Sequence, residues 1–409
     1  MTPFTYTNAS LHCDTIPLAA LAAEFGAPLY VYSVQRLREN VARLQEAFAA
    51  LDPLICFAVK ANDNLAILRL FRELGLGFDV VSGGELHRVQ RAGADAGRIV
   101  FAGAGKTDVE LAAAVRAGLG WISVESADEL RALDRIAGAL GRTQRALLRL
   151  NPDVAPDTHH HIVTGSAASK FGLAPSDAHA LRKADAPHVE LCGVHIHIGS
   201  QLPGPRATVA ALDVALDFLA DCPPAWDTLD LGGGFPVAYE SEIPSASFAD
   251  FAGPIAARLA RFPRPLRLLL EPGRSLVADA GALLVRAQAV KQTADARTII
   301  VDGGMNVLLR PALYDAYHRV LPVQESDADA ATTHVAGPIC ESADYLARDR
   351  QLPALARGDL LAVLHAGAYG YAMASNYNGQ PRPAEVLVDG DRYELTRRRE
   401  TYVDLDDRD

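Results

Sequence analysis

In CFAVKAN an apolar run ends on one ammonium, that of Lys60. A lysine that loses part of its hydration loses proton affinity and becomes an amine nucleophile able to form a Schiff base; a lone lysine in a loop is more often simply solvated. HIHIGSQ sets His195 and His197 on one strand face, with Gly199 and Ser200 just beyond. Two histidines without a carboxylate nearby in the sequence make an incomplete ligand set, so no metal is expected. LDLGGGFP offers Gly232, Gly233 and Gly234, whose bare amides could cradle a phosphate, although a glycine triplet alone is more often a flexible turn. LLLEPGRS brings Glu271, Gly273 and Arg274 together, and its two charges by themselves could be a surface ion pair.

An amine, an imidazole, a glycine-rich anion cradle, a carboxylate and a guanidinium suit pyridoxal 5′-phosphate. Its aldehyde takes Lys60, and its phosphate takes the Gly232, Gly233 and Gly234 amides, with Ser200 as hydroxyl donor. Its pyridine nitrogen must stay protonated to withdraw electrons from a bound amino acid, which calls for an anion such as Glu271. A flat ring such as His197 can stack on it. Farther along, VDGGMNVLLRPALYDAYH carries Arg310 and Tyr314 four residues apart, on one face if the stretch is helical. GPICES carries Cys340 beside Glu341; buried thiols usually just pack, but a glutamate and a Gly-Pro turn beside this one weaken that reading.

These residues need elements to hold them. Apolar runs at Leu54–Val59, Phe78–Val81, Ile99–Ala102, Trp121–Val124, Ala146–Leu150, Val189–His197, Thr228–Leu231 and Leu266–Leu270 alternate with segments of helical period. Eight such units predict a closed (β/α)8 barrel of the TIM type over 35–274, with its site at the strand C-termini. After Arg274 short β runs dominate, and Leu29–Ser33 has no place in the eightfold count. Residues 1–34 and 275–409 are therefore expected to form a mostly-β domain completed by that N-terminal strand.

The composition agrees: 49% hydrophobic and 22% charged residues over 409 positions describe a globular chain. A net charge of −11 argues against nucleic acid. Five scattered cysteines argue against disulfide or zinc frameworks and fit a reducing cytoplasm. Neither a signal peptide nor a run of the roughly 20 apolar residues needed to span a membrane is evident. The conspicuous His159–His161 run reads as a solvated loop, because no carboxylate or cysteine completes it nearby.

In order along nearly the whole chain stand APLYVYS, FAVKAN, GFDVVSGGEL, RIVFAGAGKTDVEL, VESADEL, NPDVAPDTHHHIVTGSAASKFGL, HIGSQL, LGGGFP, EPGR, RPALYDAYH, GPICES, GAYG and SNYN. With this series the sequence resembles the fold-type III, alanine-racemase-like pyridoxal enzymes, and within them the diaminopimelate decarboxylases. Departures are confined to an extra histidine, His195, and to positions flanking GAGKT and SNYNGQPRP. The resemblance implies Lys60 as internal aldimine, His197 stacked on the ring and Glu271 on the pyridine nitrogen. Ser200, Gly234, Gly273 and Arg274 would hold the phosphate side. Arg274, Arg310, Tyr314, Glu341 and Tyr369 would contact the substrate, Tyr369 also lying near the phosphate, and Cys340 would donate a proton. It further implies a homodimer whose active sites take Cys340 and Glu341 from the partner chain. The activity would be decarboxylation of meso-2,6-diaminopimelate to L-lysine and CO2, the last step of lysine biosynthesis. The alternative is another α-decarboxylase of this fold, acting on ornithine, arginine, carboxynorspermidine or a carrier-bound amino acid. A substrate with an amino-acid group at each end needs a cation and an anion at the far end, which Arg310 and Glu341 supply; a substrate ending in an ammonium alone would leave a buried arginine unpaired.

Overall fold

The computed structural model describes residues 2–154, 170–240, 245–292 and 296–406; the His159–His161 run lies outside them. Eight parallel strands close a barrel: Leu54–Ala58, Gly77–Val80, Ile99–Phe101, Trp121–Val124, Gln144–Leu150, Val189–Ile196, Thr228–Asp230 and Arg267–Leu270. They follow one another in sequence order, and Leu269 and Leu270 of the last pair with Leu54 and Ile55 of the first. Short, almost wholly buried strands form here because helices cover the outer face while side chains fill the inside. Cys56, Val100, Trp121, Leu147, Cys192 and Leu269, from six strands, pack as one cluster. Burial pushes the Cys56 thiol up, and that of Cys192 to about 11, so both act as small apolar fillers.

Local chemistry starts the helices. Asn64, Ser82, Thr107 and Ser126 each accept a backbone amide at the head of the helix that follows, and at Thr107 the reciprocal bond from Glu110 completes a capping box. Each cap satisfies an orphan amide and fixes where the strand-to-helix loop ends. The barrel strands match the sequence reading to within a residue or two at each end, and one of these differences bears on the site. The first strand stops at Ala58, opposite Asp79 on the second, so Lys60 rides on a single 3-10 turn, Val59–Ala61.

The chain divides into two compact units: a barrel unit of Ala42–Pro236 and Ser245–Gly273, and a β unit of Met1–Val41, Val237–Pro244 and Arg274–Asp409. In the β unit Leu29–Ser33 completes a nine-stranded sheet, antiparallel to Gly281–Gln292 and parallel to Ala384–Asp389. Tyr345–Leu352 and Arg392–Arg397 lie at the two ends of the strand order, where charged side chains replace the apolar pattern that reveals inner strands. Phe4–Thr7, Ser10–Cys13 and Ile16–Pro17 add a small antiparallel sheet, each strand too short to show alternation. Among the described residues no helix is long and apolar enough to cross a membrane.

Candidate active site

At the strand ends of the barrel unit a cavity of about 310 Å³ is lined by Lys60, Arg149, Phe171, His195, His197 and Glu271, among others. Lys60 Nζ donates to Asp79 Oδ2 at 2.6 Å, its side chain about a third exposed while Asp79 is fully buried. Burial, and then the neighbouring Glu271, raise the Asp79 pKa. The amide of Gly233 donates to His197 Nδ1 at 3.2 Å, which leaves the ring proton on Nε2. Burial, and Lys60 beside it, push His197 down to about 3, so it is a neutral flat ring. Arg149 Nη1 meets Glu125 Oε1 at 2.6 Å, and its guanidinium lies 4.8 Å from the Phe171 ring centroid.

Beneath the cavity the sixth, seventh and eighth strands converge on a buried polar layer. His195 Nε2 is 3.3 Å from Glu271 Oε2, and His195 Nδ1 is 2.7 Å from Ser123 Oγ. Asp230 Oδ1 accepts the Gly232 amide at 2.8 Å. The sequence-level premise that no carboxylate accompanies the histidines therefore fails: one donor atom each from His195, Asp230 and Glu271 lies within 4.8 Å of the others. Strand closure around the barrel brings these distant positions side by side. Burial alone would raise Glu271, but His195, with Lys60 and His197 beyond, outweighs it and holds Glu271 well below the usual carboxylate range. Asp230 moves the other way, raised by burial and by the Glu271 charge.

The glycine loop works differently from an open three-amide cradle. Gly232 and Gly233 spend their amides on Asp230 and His197. Their lack of side chain is a packing requirement: Gly232 has φ +63°, and a Cβ there would sit 2.6 Å from His197 Nδ1, while one on Gly233 would sit 2.3 Å from the Glu271 carbonyl oxygen. The Leu202 amide bonds the Gly234 carbonyl at 3.0 Å, tying the loop that bears Ser200 to the glycine loop. The Ala58 amide bonds the Pro272 carbonyl at 3.0 Å, and a Cβ on Gly273 would press on Ala58 and Ala61 at 3.1 Å. The turn after Glu271 is thus locked to the turn that carries Lys60.

The β unit gathers a second group. Arg274 and Arg310 are 8% and 6% exposed. Arg274 Nη1 donates to Tyr239 Oη at 3.0 Å and stands 4.9 Å from the Tyr369 ring centroid. Arg310 lies 4.6 Å from the Tyr239 ring centroid and donates through Nη1 to His318 Nε2 at 2.8 Å; His318 Nδ1 in turn donates to the Leu364 carbonyl at 2.9 Å. The stretch does turn helically, in the five-residue helix Arg310–Tyr314, which carries Arg310 and the half-buried Tyr314. Cys340 and Glu341 are exposed; the Cys340 amide donates to Asn378 Oδ1 at 2.9 Å, and Tyr377 Oη donates to Glu341. Neither forms a hydrogen bond or ion pair with Arg274, Arg310, Tyr314 or Tyr369 within this chain.

Sequence reasoning missed Asp79, Ser123, Arg149 and Asp230 in the barrel, and Tyr239 and His318 in the β unit. A readable signal existed for three of them. Asp79 in GFDVV, Arg149 in ALLRL and Asp230 in TLDLG each place a charge inside an apolar strand, where it must be paired or neutralised.

The model of the family "Pyridoxal-dependent decarboxylase, pyridoxal binding domain" matches residues 34–278. The chain is 46% identical over 398 residues to diaminopimelate decarboxylase of Neisseria meningitidis serogroup B, covering 96% of this chain and 95% of that one. It is 45% identical over 410 residues to the enzyme of that name from Pseudomonas aeruginosa, covering 99% and 98%. The crystal structure of diaminopimelate decarboxylase from Helicobacter pylori complexed with L-lysine superposes with a TM-score of 0.90 at 35% identity, covering 95% of this chain and 98% of that one. With its barrel, its buried carboxylate layer and these full-length likenesses, the chain belongs to the pyridoxal-dependent decarboxylases, in the diaminopimelate decarboxylase family.

Proposed function

We propose that this chain decarboxylates meso-2,6-diaminopimelate to L-lysine and CO2, the final step of lysine biosynthesis, with pyridoxal 5′-phosphate bound in the barrel over 35–274. The observation that carries this reading is one cavity lined by both an amine, Lys60, and a buried carboxylate, Glu271, whose Oε1 meets no N–H donor among the described residues. A buried anion of that kind fits the N–H of a protonated pyridine ring.

Lys60 would hold the cofactor's aldehyde, Glu271 its ring nitrogen and His197 its ring face. The Gly234 amide, with Ser200, Gly273, Arg274 and Tyr369, would take the phosphate side, while Gly232 and Gly233 would shape the loop. When bound, the cofactor accepts the electron pair released as the Cα–carboxylate bond breaks. The protein's share is electrostatic and positional. Glu271 keeps the ring nitrogen protonated in advance, so no reorganisation is needed as negative charge develops. Neutral His197 supports the ring without adding a competing charge.

Residues 1–34 and 275–409 would contribute the substrate and dimer-interface residues. Among the described residues Arg310 meets a neutral imidazole and an aromatic ring and no carboxylate, so a carboxylate on the substrate is the partner it lacks. Arg274, Tyr314 and Tyr369 would complete its contacts. Cys340 and Glu341, exposed in the single chain, suit a homodimer in which they come from the partner subunit, Glu341 to hold the distal ammonium and Cys340 to protonate Cα. The deciding experiment records the visible spectrum of the purified protein with pyridoxal 5′-phosphate and CO2 release from meso-diaminopimelate, lysine, ornithine and arginine. A cofactor band and release from diaminopimelate alone are expected. Faster release from ornithine or arginine would replace the reading with another α-decarboxylase.

A further inference from the structure

Three carboxylates, Asp79, Asp230 and Glu271, are buried at the barrel mouth, and a low-dielectric site cannot keep all three ionised without partners. The geometry points to His195, fixed by Ser123, together with Asp230 as positioning residues that make Glu271 the standing anion of this layer and present it to the cofactor's ring nitrogen. This inference rests on the cofactor reading above.

The charged and titratable groups acting on Glu271 include His195, Asp230, Asp79, Lys60, His197 and the buried, neutral Cys56 thiol. Asp79 has the Lys60 ammonium at 2.6 Å. Asp230 accepts the Gly232 amide on one oxygen, and it also meets the Glu271 carboxylate, toward which only a protonated Asp230 can donate. Glu271 has His195 Nε2 at 3.3 Å. Nε2 faces the Glu271 carboxylate and carries a proton, and Nδ1 meets the Ser123 hydroxyl at 2.7 Å, which fixes the ring from its other edge. Ser123 is itself anchored: its carbonyl accepts Lys106 Nζ at 2.7 Å, and that lysine, 1% exposed in its side chain, also pairs with Glu129 at 2.5 Å. The imidazole is therefore held from behind on a rigid strand end. Asp230, with no such donor, keeps a proton, and the opposite pKa displacements of the two acids agree. Two neighbouring acids pushed apart in this way divide the labour, one charged and one neutral.

The test uses the full-length protein reconstituted with pyridoxal 5′-phosphate carrying ¹⁵N in its ring, with the ring-nitrogen NMR shift followed between about pH 6 and 9. The wild type is expected to show a protonated ring nitrogen throughout. His195→Gln should lower its titration midpoint by about one pH unit or more, roughly tenfold in proton affinity, and weaken cofactor binding measured on the apoprotein. Ser123→Ala should move the midpoint the same way by less. Asp230→Asn, which mimics a protonated acid, should leave the signal at its wild-type position. His195→Gln superimposable on the wild type, with an intact circular dichroism spectrum, overturns the inference; if that variant fails to fold, an unmoved Ser123→Ala signal overturns it. Asp230→Asn shifting as far as His195→Gln overturns the assignment of the proton to Asp230. A wild type that takes up no cofactor, indistinguishable from Lys60→Ala, sinks the cofactor reading itself, an outcome separate from bound cofactor with unmoved variants.

Discussion

The barrel mouth and the arginine group of the β unit both bury charge, but they settle it in opposite ways. At the mouth, acids meet a lysine and a histidine within about 3.3 Å, and the layer is largely compensated by its own members. In the β unit Arg310 is buried as deeply, yet its hydrogen-bond acceptor is a neutral imidazole and its other neighbour a tyrosine ring. A compensated layer tunes the protonation of whatever binds over it, whereas an uncompensated buried cation stores attraction for an anion still to arrive. On that difference the proposed function makes the barrel the environment a cofactor would meet, and the arginine group the place where an acidic substrate would be recognised.

Lys60→Ala strikes the compensated side hardest. It removes both the covalent attachment point and the partner of Asp79, and loss of the cofactor band with all measurable turnover is expected; retained absorbance would end the cofactor assignment. Arg310→Leu strikes the other side. Losing charge-assisted hydrogen bonds to a substrate carboxylate should lower kcat/KM for diaminopimelate by about 30- to 150-fold, on the order of 2–3 kcal/mol. The same change should leave thermal stability equal or higher, because a buried cation without a carboxylate is removed. An equal weakening of lysine and diaminopimelate as ligands would show that Arg310 does not read the distal carboxylate.

His318 sharpens the contrast through pH. It is held neutral, its pKa pushed well below the ordinary imidazole value by burial and by Arg310. The unfolded chain takes up a proton near pH 6.5 that the folded chain refuses, so stability is complete above that pH and declines as pH falls below it. His318→Phe should make that decline shallower by at most about 1.4 kcal/mol per pH unit, read from urea unfolding at successive pH values; an unchanged slope would mean His318 is protonated in the fold. The smallest effect has the opposite sign. Asp230 has a raised folded pKa, so folding takes up a proton there and stability declines as pH rises above the ordinary carboxylate value. Asp230→Asn should therefore stabilise the protein slightly at neutral pH, with a gain that shrinks as pH approaches about 4; a variant less stable at every pH would place an anion on Asp230.

Much of this molecule was legible because local patterns carry it. Eight buried apolar runs spaced by helical segments spell a closed barrel, and Leu29–Ser33, surplus to that count, does complete the β sheet. The edge strands Tyr345–Leu352 and Arg392–Arg397 were illegible because edge positions carry charge rather than alternation. At the site, Lys60, His197 and Glu271 stand at strand ends where residue type and position agree, and they do line one cavity. His318 lay in plain view in RPALYDAYH, but nothing local says that its ring will receive Arg310.

The glycine triplet marks the boundary between the two kinds of knowledge. The sequence by itself determined that Gly232–Gly234 follow a strand end with three bare amides, a phosphate cradle or a flexible turn. Only the tertiary structure decided that two of those amides would be spent on Asp230 and His197, and that Ser123, His195, Asp230 and Glu271, far apart in the chain, would form one buried polar layer. Residue type and local period set which groups exist and which way each strand presents them. Their protonation depends on distances and burial that arise only when the eighth strand closes against the first.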